Sequence, residues 1–435
     1  MSLTFPHETG TPHETGATQG TGTSRRVPRR GLVAAIGMAE LFYAAAGALP
    51  LILGLGLKVQ EIAPANKEAM LGFVAALGGV ATVISNPLSG HLSDRTTSRY
   101  GMRRPWILGG SLLGLAGLLL LALAGSIALV AVGWMVAVTG YQAMVAGLTA
   151  TVVDQFPAER RVRVAGVFSM CNMLGVVPAM VLSQVFKGEL LLQFTICGGL
   201  AVTAAGVLCA LLPDRRLDPA ERRPVNVRSL ASALLVLPRH ARDYRLLWVQ
   251  RLLVSIGFAL ISSYSLYYLQ SRIGMPTAEA VALVGLTTIA STLLSGLFAY
   301  LGGRWSARIG RGRPFVLWAT AILGVTLLLK ATTASVGVVI AVAVISGAAT
   351  GVYYAVDLGL VTQVLPDERD AGRYLGAFAM AKHLPSAVAP ALAPVLLGLG
   401  SDPFAEGPNY FVLFSACGLL TLAAAPLVSL LRNVR

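Results

Sequence analysis

Long apolar stretches alternate with short polar segments along almost the whole chain, and this pattern predicts an all-α membrane protein. Each stretch reaches about 20 residues, the length that an α-helix needs to cross a bilayer. The predicted membrane spans number twelve and lie at 32–57, 69–90, 105–125, 127–153, 164–186, 190–212, 246–269, 279–301, 314–333, 335–364, 374–399 and 409–431. Only 12% of the residues are charged, roughly half the fraction usual in a soluble domain, so lipid must replace water around most of the chain.

A charged loop occurs twice at matched positions. It reads RYGMRRPWIL at 99–108 and RIGRGRPFVL at 308–317, and the same offset carries Pro157 onto Pro366. Two matched loops indicate two copies of a six-span unit. The predicted domains are a disordered tail at 1–30, an N-terminal bundle at 31–212, a linker at 213–245 and a C-terminal bundle at 246–435. Membrane proteins built from two such halves are typically transporters, because the halves can rock about a site between them.

The basic residues behind the formal net charge of +14 are unevenly distributed among the loops. Lys and Arg concentrate in the tail, at the C-terminus and in every second loop, whereas the alternate loops hold only Lys58, Lys67, Lys187, Arg272 and Lys330. This asymmetry predicts a multi-pass protein of the cytoplasmic membrane with both termini in the cytoplasm. Because the charge is explained by topology, we expect no nucleic-acid partner.

The polar segments and the cysteines suggest no further chemistry. The tail holds His7 and His13 in a tandem repeat, which we interpret as solvated chain rather than a metal site. The linker either joins the halves or also lays a short amphipathic helix on the inner leaflet. All four cysteines lie within spans without paired spacing. No P-loop, zinc-type cluster or nucleophile elbow occurs, so we expect no cofactor, no metal and no enzyme activity.

The loop after the second span reads GHLSDRTTSRYGMRRP. It resembles the signature loop G-x-L-x-D-R-x-G-R-[RK] of the major facilitator superfamily. The matching positions are Gly90, Asp94, Arg95, Gly101, Arg103 and Arg104, and Arg99 lies in a longer spacer. The spacer and the RxGxRRP ending are similar to the glycoside–pentoside–hexuronide cation symporters and the sucrose-type proton symporters. The resemblance implies two pseudo-symmetric six-helix bundles and a transport activity.

The charges of this loop are suited to a gate. Asp94 ends a span, where a carboxylate can meet the positive end of a neighbouring helix, and the arginines can pair with acids of adjacent loops. We predict a latch that closes the inner side, the alternative being a plain topology signal. In the second copy Gly303 replaces the aspartate. The arginines that remain there are Arg304, Arg308, Arg311 and Arg313. We expect this second latch to be weaker or to use another acid, such as Asp154.

Five ionisable side chains lie inside predicted spans at similar depth: Glu40, Arg251, Asp357, Lys382 and His383. A charge in hydrocarbon is costly, so these residues are candidates for function. A carboxyl group in a low-dielectric cavity can exchange a proton near neutral pH, which makes Glu40 and Asp357 the predicted proton-coupling residues and His383 a relay. Arg251 and Lys382 are predicted to balance their charge. The alternative is a structural salt bridge, for example between Asp357 and Lys382.

Polar neighbours extend this site. The predicted substrate-binding residues are Tyr43, Thr139, Gln142, Asn172, Tyr353 and Tyr354. The resemblance implies that spans 1, 4, 7 and 10 line a central cavity and that span 11 flanks it. Amide and hydroxyl groups suit a polyhydroxylated solute, and aromatic rings can stack on an apolar sugar face. For the tyrosines, simple packing is the alternative.

We therefore predict a secondary active transporter that moves a small organic solute by alternating access, in proton-coupled symport of a sugar or glycoside. One alternative is proton-coupled export of a drug or natural product. Proton-driven drug exporters of this superfamily carry an arginine in span 4 and the motif GPxxGG in span 5. Both features are missing from this sequence, which favours symport. The other alternative is a membrane scaffold without a transport cycle. The expected partners are the solute, protons with sodium as the alternative ion, and the lipid bilayer, and we expect a monomer.

Overall fold

The computed structural model describes residues 30–217, 241–364 and 371–431. The predicted disordered tail, with His7 and His13, and most of the predicted linker lie outside the described residues. Within those ranges the chain is all-α and contains no strand. Twelve helices are long and apolar enough to cross a membrane, which confirms the predicted number of spans.

Most spans are single helices, whereas spans 1 and 5 are each built from two. The bounds of spans 1 to 6 are Arg30–Leu49 with Leu55–Ile62, Lys67–Ser93, Arg104–Leu123, Ile127–Gln155, Ala158–Leu174 with Val176–Val185, and Leu190–Leu211. The bounds of spans 7 to 12 are Arg242–Ser271, Thr277–Ile309, Arg313–Thr332, Val336–Gln363, Ala371–Leu397 and Tyr410–Ser429. A π-helical segment, Pro50–Gly54, joins the two parts of span 1, where proline lacks the backbone donor of a regular turn.

Local sequence sets the helix ends in the same way in both halves. Spans 3 and 9 each have a proline in the first turn, Pro105 and Pro314, where the missing N–H costs nothing. Arg104 then donates to the carbonyl of Leu212 at the end of span 6, and Arg313 donates to the carbonyl of Leu431 after span 12. The matched arginines therefore cap the last span of their own half, as expected of a pseudo-symmetric repeat.

The helices pack in a pattern that repeats between the halves. Span 3 packs on spans 4 and 6, and span 9 packs on spans 10 and 12. Between the halves, span 2 packs along span 11 and span 5 packs on span 8. The approach of spans 2 and 11 depends on small residues. A Cβ atom on Gly79 would lie 2.2 Å from the carbonyl oxygen of Ser386, so only glycine allows this contact.

Four hydrogen bonds between described residues tie the halves together near one end of the bundle. We call the end that carries residues 30 and 431 the terminal face, and the opposite end the distal face. The Tyr267 hydroxyl donates to the carbonyl of Gly56 at 2.7 Å, and the Tyr264 hydroxyl donates to the carbonyl of Glu68 at 3.1 Å. Gln184 similarly donates from span 5 to the carbonyl of Val281 in span 8, at 3.1 Å. Lys67 also donates to the Gln270 side chain at 3.3 Å, so these four bonds all lie in the distal half.

Three basic residues predicted in loops of the distal face are buried: Lys58, Arg272 and Lys330. Arg272 is 5% exposed and donates to Asp402 at 2.6 Å, so a carboxylate neutralises its charge inside the protein. Lys330 lies within span 9 and is 6% exposed. The charge pattern grouped these residues with the loops, although the predicted span 314–333 already contained Lys330. The structure instead buries Arg272 with an acidic partner and Lys330 among aromatic rings.

Candidate functional site

A cavity lies at mid-height between the two halves. Seven spans line it: 1, 2, 4 and 5 from the N-terminal half and 7, 10 and 11 from the C-terminal half. The predicted site residues that line it are Tyr43, Gln142, Asn172, Tyr354, Lys382 and His383. The sequence therefore located residues of both halves that the fold brings to one space.

Other predicted site residues are not part of this lining. Thr139 is absent from it, because span 4 presents the face that bears Trp134, Tyr141 and Gln142. Tyr353 is buried inside the C-terminal half, where its hydroxyl donates to the Gln250 side chain at 3.2 Å. Glu40, Arg251 and Asp357 also do not line the cavity.

Glu40 is buried behind the cavity wall. It is 0% exposed, and its Oε1 accepts a hydrogen bond of 2.6 Å from the Asn172 side-chain amide. Its Oε2 is buried without a hydrogen-bond partner. Asn172 itself lines the cavity, so one amide side chain separates the carboxyl group from the space between the halves. A buried carboxyl oxygen without a donor is chemically suited to hold a proton.

Asp357 is paired within the C-terminal half. It is 1% exposed, and its Oδ2 accepts from Arg251 Nη1 at 2.8 Å. The guanidinium of Arg251 also lies over the Phe378 ring, 4.5 Å from its centroid. The salt-bridge partner of Asp357 is thus Arg251. The pairing of Asp357 with Lys382, which the sequence suggested as a structural alternative, is not formed. A direct guanidinium partner favours the ionised carboxylate and fixes its position.

Lys382 lines the cavity near Glu40 and Arg251. Its ammonium lies 6.0 Å from the centre of the Tyr354 ring, and it interacts electrostatically with both Glu40 and Arg251. Each half thus contributes one buried acid with a nearby cation, Glu40 with Lys382 and Asp357 with Arg251. His383 lies beside the same two cations and lines the cavity.

Three features of the cavity wall were not predicted. Asn86 of span 2 donates to the Gln142 side chain at 2.8 Å, so Gln142 is held in place by a second amide. Tyr141 packs edge-on against Tyr43, with ring centroids 6.1 Å apart. Trp134 contributes a further aromatic side chain. Asn86, a polar residue inside an apolar span, was the available signal in the sequence for the first of these features.

The gate-motif loop is organised around Arg103 at the terminal face. Arg103 Nη1 donates to Asp94 Oδ1 at 2.7 Å and to the Ser93 hydroxyl at 2.8 Å, and its Nε donates to Asp154 Oδ2 at 2.8 Å. Burial acts to lower the pKa of the Arg103 guanidinium, but the hydrogen bonds and charges of Asp154 and Asp94 outweigh burial and raise it. Asp154 thus pairs with the first-copy loop, whereas we expected a partner among the second-copy arginines.

Asp214, which the sequence did not single out, completes this network. Its carboxylate accepts from the backbone N–H groups of Arg103 and Arg104 at 2.8 and 2.9 Å, at the positive start of span 3. Gly101 adopts a φ of 109°, and a Cβ atom there would lie 2.2 Å from Asp214. The motif glycine is therefore needed for both its backbone conformation and its lack of a side chain. These contacts of Arg103, Arg104 and Asp214 join parts of the N-terminal half to one another.

The other motif residues are less tightly bound. Gly90 accepts from the Asp94 backbone N–H at 3.1 Å, and a Cβ atom on it would meet no atom. Arg95 donates to the carbonyl of His91 at 2.9 Å, and Arg99 stacks over the exposed Tyr100 ring. In the second copy Arg304 donates to the Tyr300 hydroxyl at 3.3 Å. Arg308 and Arg311 are exposed. No acid there takes the place of Asp154 among the described contacts.

We expect the replacement Arg103→Lys to loosen this loop, because lysine cannot contact Asp94 and Asp154 through a planar fork. Losing one charge-assisted hydrogen bond of about 1.5–3 kcal/mol should accelerate amide hydrogen exchange at residues 94–104 by about tenfold or more. Turnover should fall more than solute affinity. The matched control is Arg99→Lys on the exposed part of the same loop. Unchanged exchange and turnover in Arg103→Lys would reduce the loop to a topology signal.

Comparison with known proteins places this architecture in a family. The model of the Major Facilitator Superfamily matches residues 31–296 and 278–435. Two solved structures resemble the fold with a TM-score of 0.69 and 14% sequence identity each. The nucleoside transporter NupG is matched over 92% of this chain and 99% of its own, and a D-xylose-proton symporter over 93% and 97%. An uncharacterized symporter of Synechocystis sp. is 50% identical over 42 residues, which is 10% of this chain and 8% of that protein.

Proposed function

Because this chain belongs to the Major Facilitator Superfamily, we propose that it is a secondary active transporter that carries a small hydroxylated solute through the central cavity in symport with protons. The solute class that we infer is a sugar or glycoside. The family membership supports transport, and the names of two of the similar proteins include symport. The coupling ion and the solute are inferred from the cavity itself.

The contact between Asn172 and Glu40 is the observation on which the coupling depends. Asn172 lines the cavity and donates its amide to the carboxyl oxygen of Glu40 at 2.6 Å. A solute that binds Asn172 competes for the same amide group. Withdrawal of that donor from Glu40 leaves both carboxyl oxygens unpaired, which favours uptake of a proton. Solute binding and proton binding thereby assist each other.

Glu40 suits the exchangeable proton better than Asp357 does. Asp357 has a guanidinium in direct contact at 2.8 Å, whereas the hydrogen-bond partner of Glu40 is a neutral amide. We therefore assign proton exchange to Glu40. The ion pair of Asp357 with Arg251 keeps both of its side chains charged within the C-terminal half. Lys382 is the cation that compensates Glu40 when it is ionised. His383 lines the cavity and offers its ring nitrogens to the solute.

The lining fits a hydroxylated ring. Gln142, Asn172 and His383 offer donors and acceptors, and Trp134 and Phe258 offer apolar faces. We place the terminal face in the cytoplasm from the positive loops. Hydrogen bonds join described residues of the two halves near the distal face, and we infer that these contacts hold the bundle together on the non-cytoplasmic side.

The test is transport by the purified protein in lipid vesicles. A pH gradient of each sign, or a sodium gradient, is imposed while uptake of labelled sugars, glycosides, nucleosides and apolar drugs is followed. We expect a sugar or glycoside to accumulate on the side toward which protons flow. Accumulation against the proton flow would assign export instead. If only a sodium gradient drives uptake, the coupling ion is sodium rather than the proton. If no solute is taken up under any gradient, the proposal of transport is contradicted.

A further inference from the structure

A second chamber lies inside the C-terminal half, beside the central cavity. Its wall is formed by spans 7, 8, 9, 10 and 12, and Ile52 and Met173 of the other half reach its edge. Phe258 and Ser262 line both spaces, so they form the partition between them. We call the chamber inside the C-terminal half the side chamber.

Hydroxyl groups dominate the polar lining of the side chamber. Thr287 and Ser291 on span 8 each donate to a backbone carbonyl at 2.6 Å. Thr350 on span 10 does the same at 2.6 Å, and Ser346 at 3.2 Å. A hydroxyl has one hydrogen to give, so each of these oxygens now offers only lone pairs to the chamber. This part of the wall accepts hydrogen bonds.

Two further hydroxyls in the lining have no partner. Ser295 is 3% exposed and Thr421 is 1% exposed, and neither side-chain oxygen makes a hydrogen bond. Buried polar groups without partners are rare and costly. Their oxygens have almost no accessible surface, so they add unsatisfied polar groups to the wall rather than direct contacts for a ligand.

Lys330 supplies the cation of the side chamber. Its ammonium donates to the Ser265 hydroxyl at 3.0 Å and lies 4.7 and 5.0 Å from the ring centres of Phe414 and Tyr268. Within the described part of the chain no carboxylate lies within ion-pair distance of it. An ammonium has three donors, so two remain for a ligand.

This combination selects the ligand by chemistry. Lys330 repels a metal ion, although the hydroxyl oxygens alone could bind one. A simple anion would meet Lys330 but would also face the lone pairs of Thr287, Ser291 and Thr350. A hydroxylated neutral molecule satisfies both parts of the wall, because each of its hydroxyls donates and accepts. We propose that the side chamber is a second binding site, for a neutral polyol or sugar anchored by Lys330, separate from the site between the halves.

The test is protection of an introduced cysteine in the full-length protein. Ser346→Cys and, separately, Ser255→Cys are made with Cys171→Ala, since Ser346 lines only the side chamber and Ser255 only the central cavity. The rate of alkylation by a small thiol reagent is measured in the presence of sorbitol, myo-inositol, methyl glucoside, sodium chloride or sodium sulfate. At a concentration roughly ten times its Kd, a polyol or sugar should slow labelling of Ser346→Cys about tenfold. The salts should not.

Lys330→Met should remove this protection and leave the behaviour of Ser255→Cys unchanged, with the exposed Lys187→Met as the control. Protection by the salts would assign an ion site and overturn the proposal. So would labelling that no polyol or sugar slows, or protection that persists in Lys330→Met. Protection of Ser255→Cys alone would uphold solute binding between the halves while refuting the second site.

Discussion

Replacement of Glu40 with glutamine should abolish accumulation of the solute against a gradient while leaving exchange of labelled for unlabelled solute intact. In the wild-type protein a gradient of one pH unit corresponds to about 1.4 kcal/mol per proton, hence about tenfold accumulation. Glutamine keeps the size of the side chain and can still accept from Asn172. It cannot bind or release a proton, so the imposed gradient should no longer drive uptake.

The control for this variant is Glu61→Gln, on an exposed carboxylate that pairs with Lys58 near the distal face. Glu61→Gln should accumulate solute as the wild-type protein does. Gradient-driven accumulation by Glu40→Gln at the wild-type level would refute the assignment of the proton to this residue. Loss of both accumulation and exchange would indicate a structural role instead.

Asp357→Asn should lower the stability of the folded protein by about 3–5 kcal/mol, because it leaves the guanidinium of Arg251 buried without its counter-charge. Lys382 interacts with the same guanidinium, so the variant also leaves two cations facing each other. Thermal unfolding of the purified protein in detergent measures the loss. The double variant Arg251→Met with Asp357→Leu should recover most of it, since an apolar pair of similar volume replaces the ion pair.

Glu61→Gln again serves as the control for removal of a carboxylate. A transition temperature for Asp357→Asn equal to that of the wild-type protein would contradict the assigned pairing. If the double variant is as unstable as Asp357→Asn, the loss of stability does not come from the unpaired guanidinium but from another contact of span 10.

The sequence predicted the fold because hydropathy and loop charge act over whole spans. Twelve apolar stretches and two matched loops suffice to fix the number of helices and their grouping, and small errors at helix ends do not change either. The close contact of Gly79 with span 11 was not predictable, because nothing in the local pattern says which glycine faces which helix.

The site was predicted in part. Intramembrane charge identified Glu40, Asp357 and Lys382, because the cost of burying charge leaves few such residues in a membrane protein. Their pairing could not be predicted, since spans 7, 10 and 11 offer several partners at similar depth. Arg251 pairs with Asp357 only because of how these helices are rotated. Lys330 was counted among the loop charges although the predicted span 314–333 contains it, because the end of span 9 carries no signal that distinguishes a surface lysine from a buried one.

The most direct test of the coupling is the proton balance of solute binding. The purified wild-type protein, in weakly buffered detergent solution with a pH indicator, is mixed with the sugar or glycoside that it transports. Solute binding at the cavity should draw a proton from solution onto Glu40, and Glu40→Gln should bind the solute without any pH change. Equal proton uptake by both proteins would contradict the account.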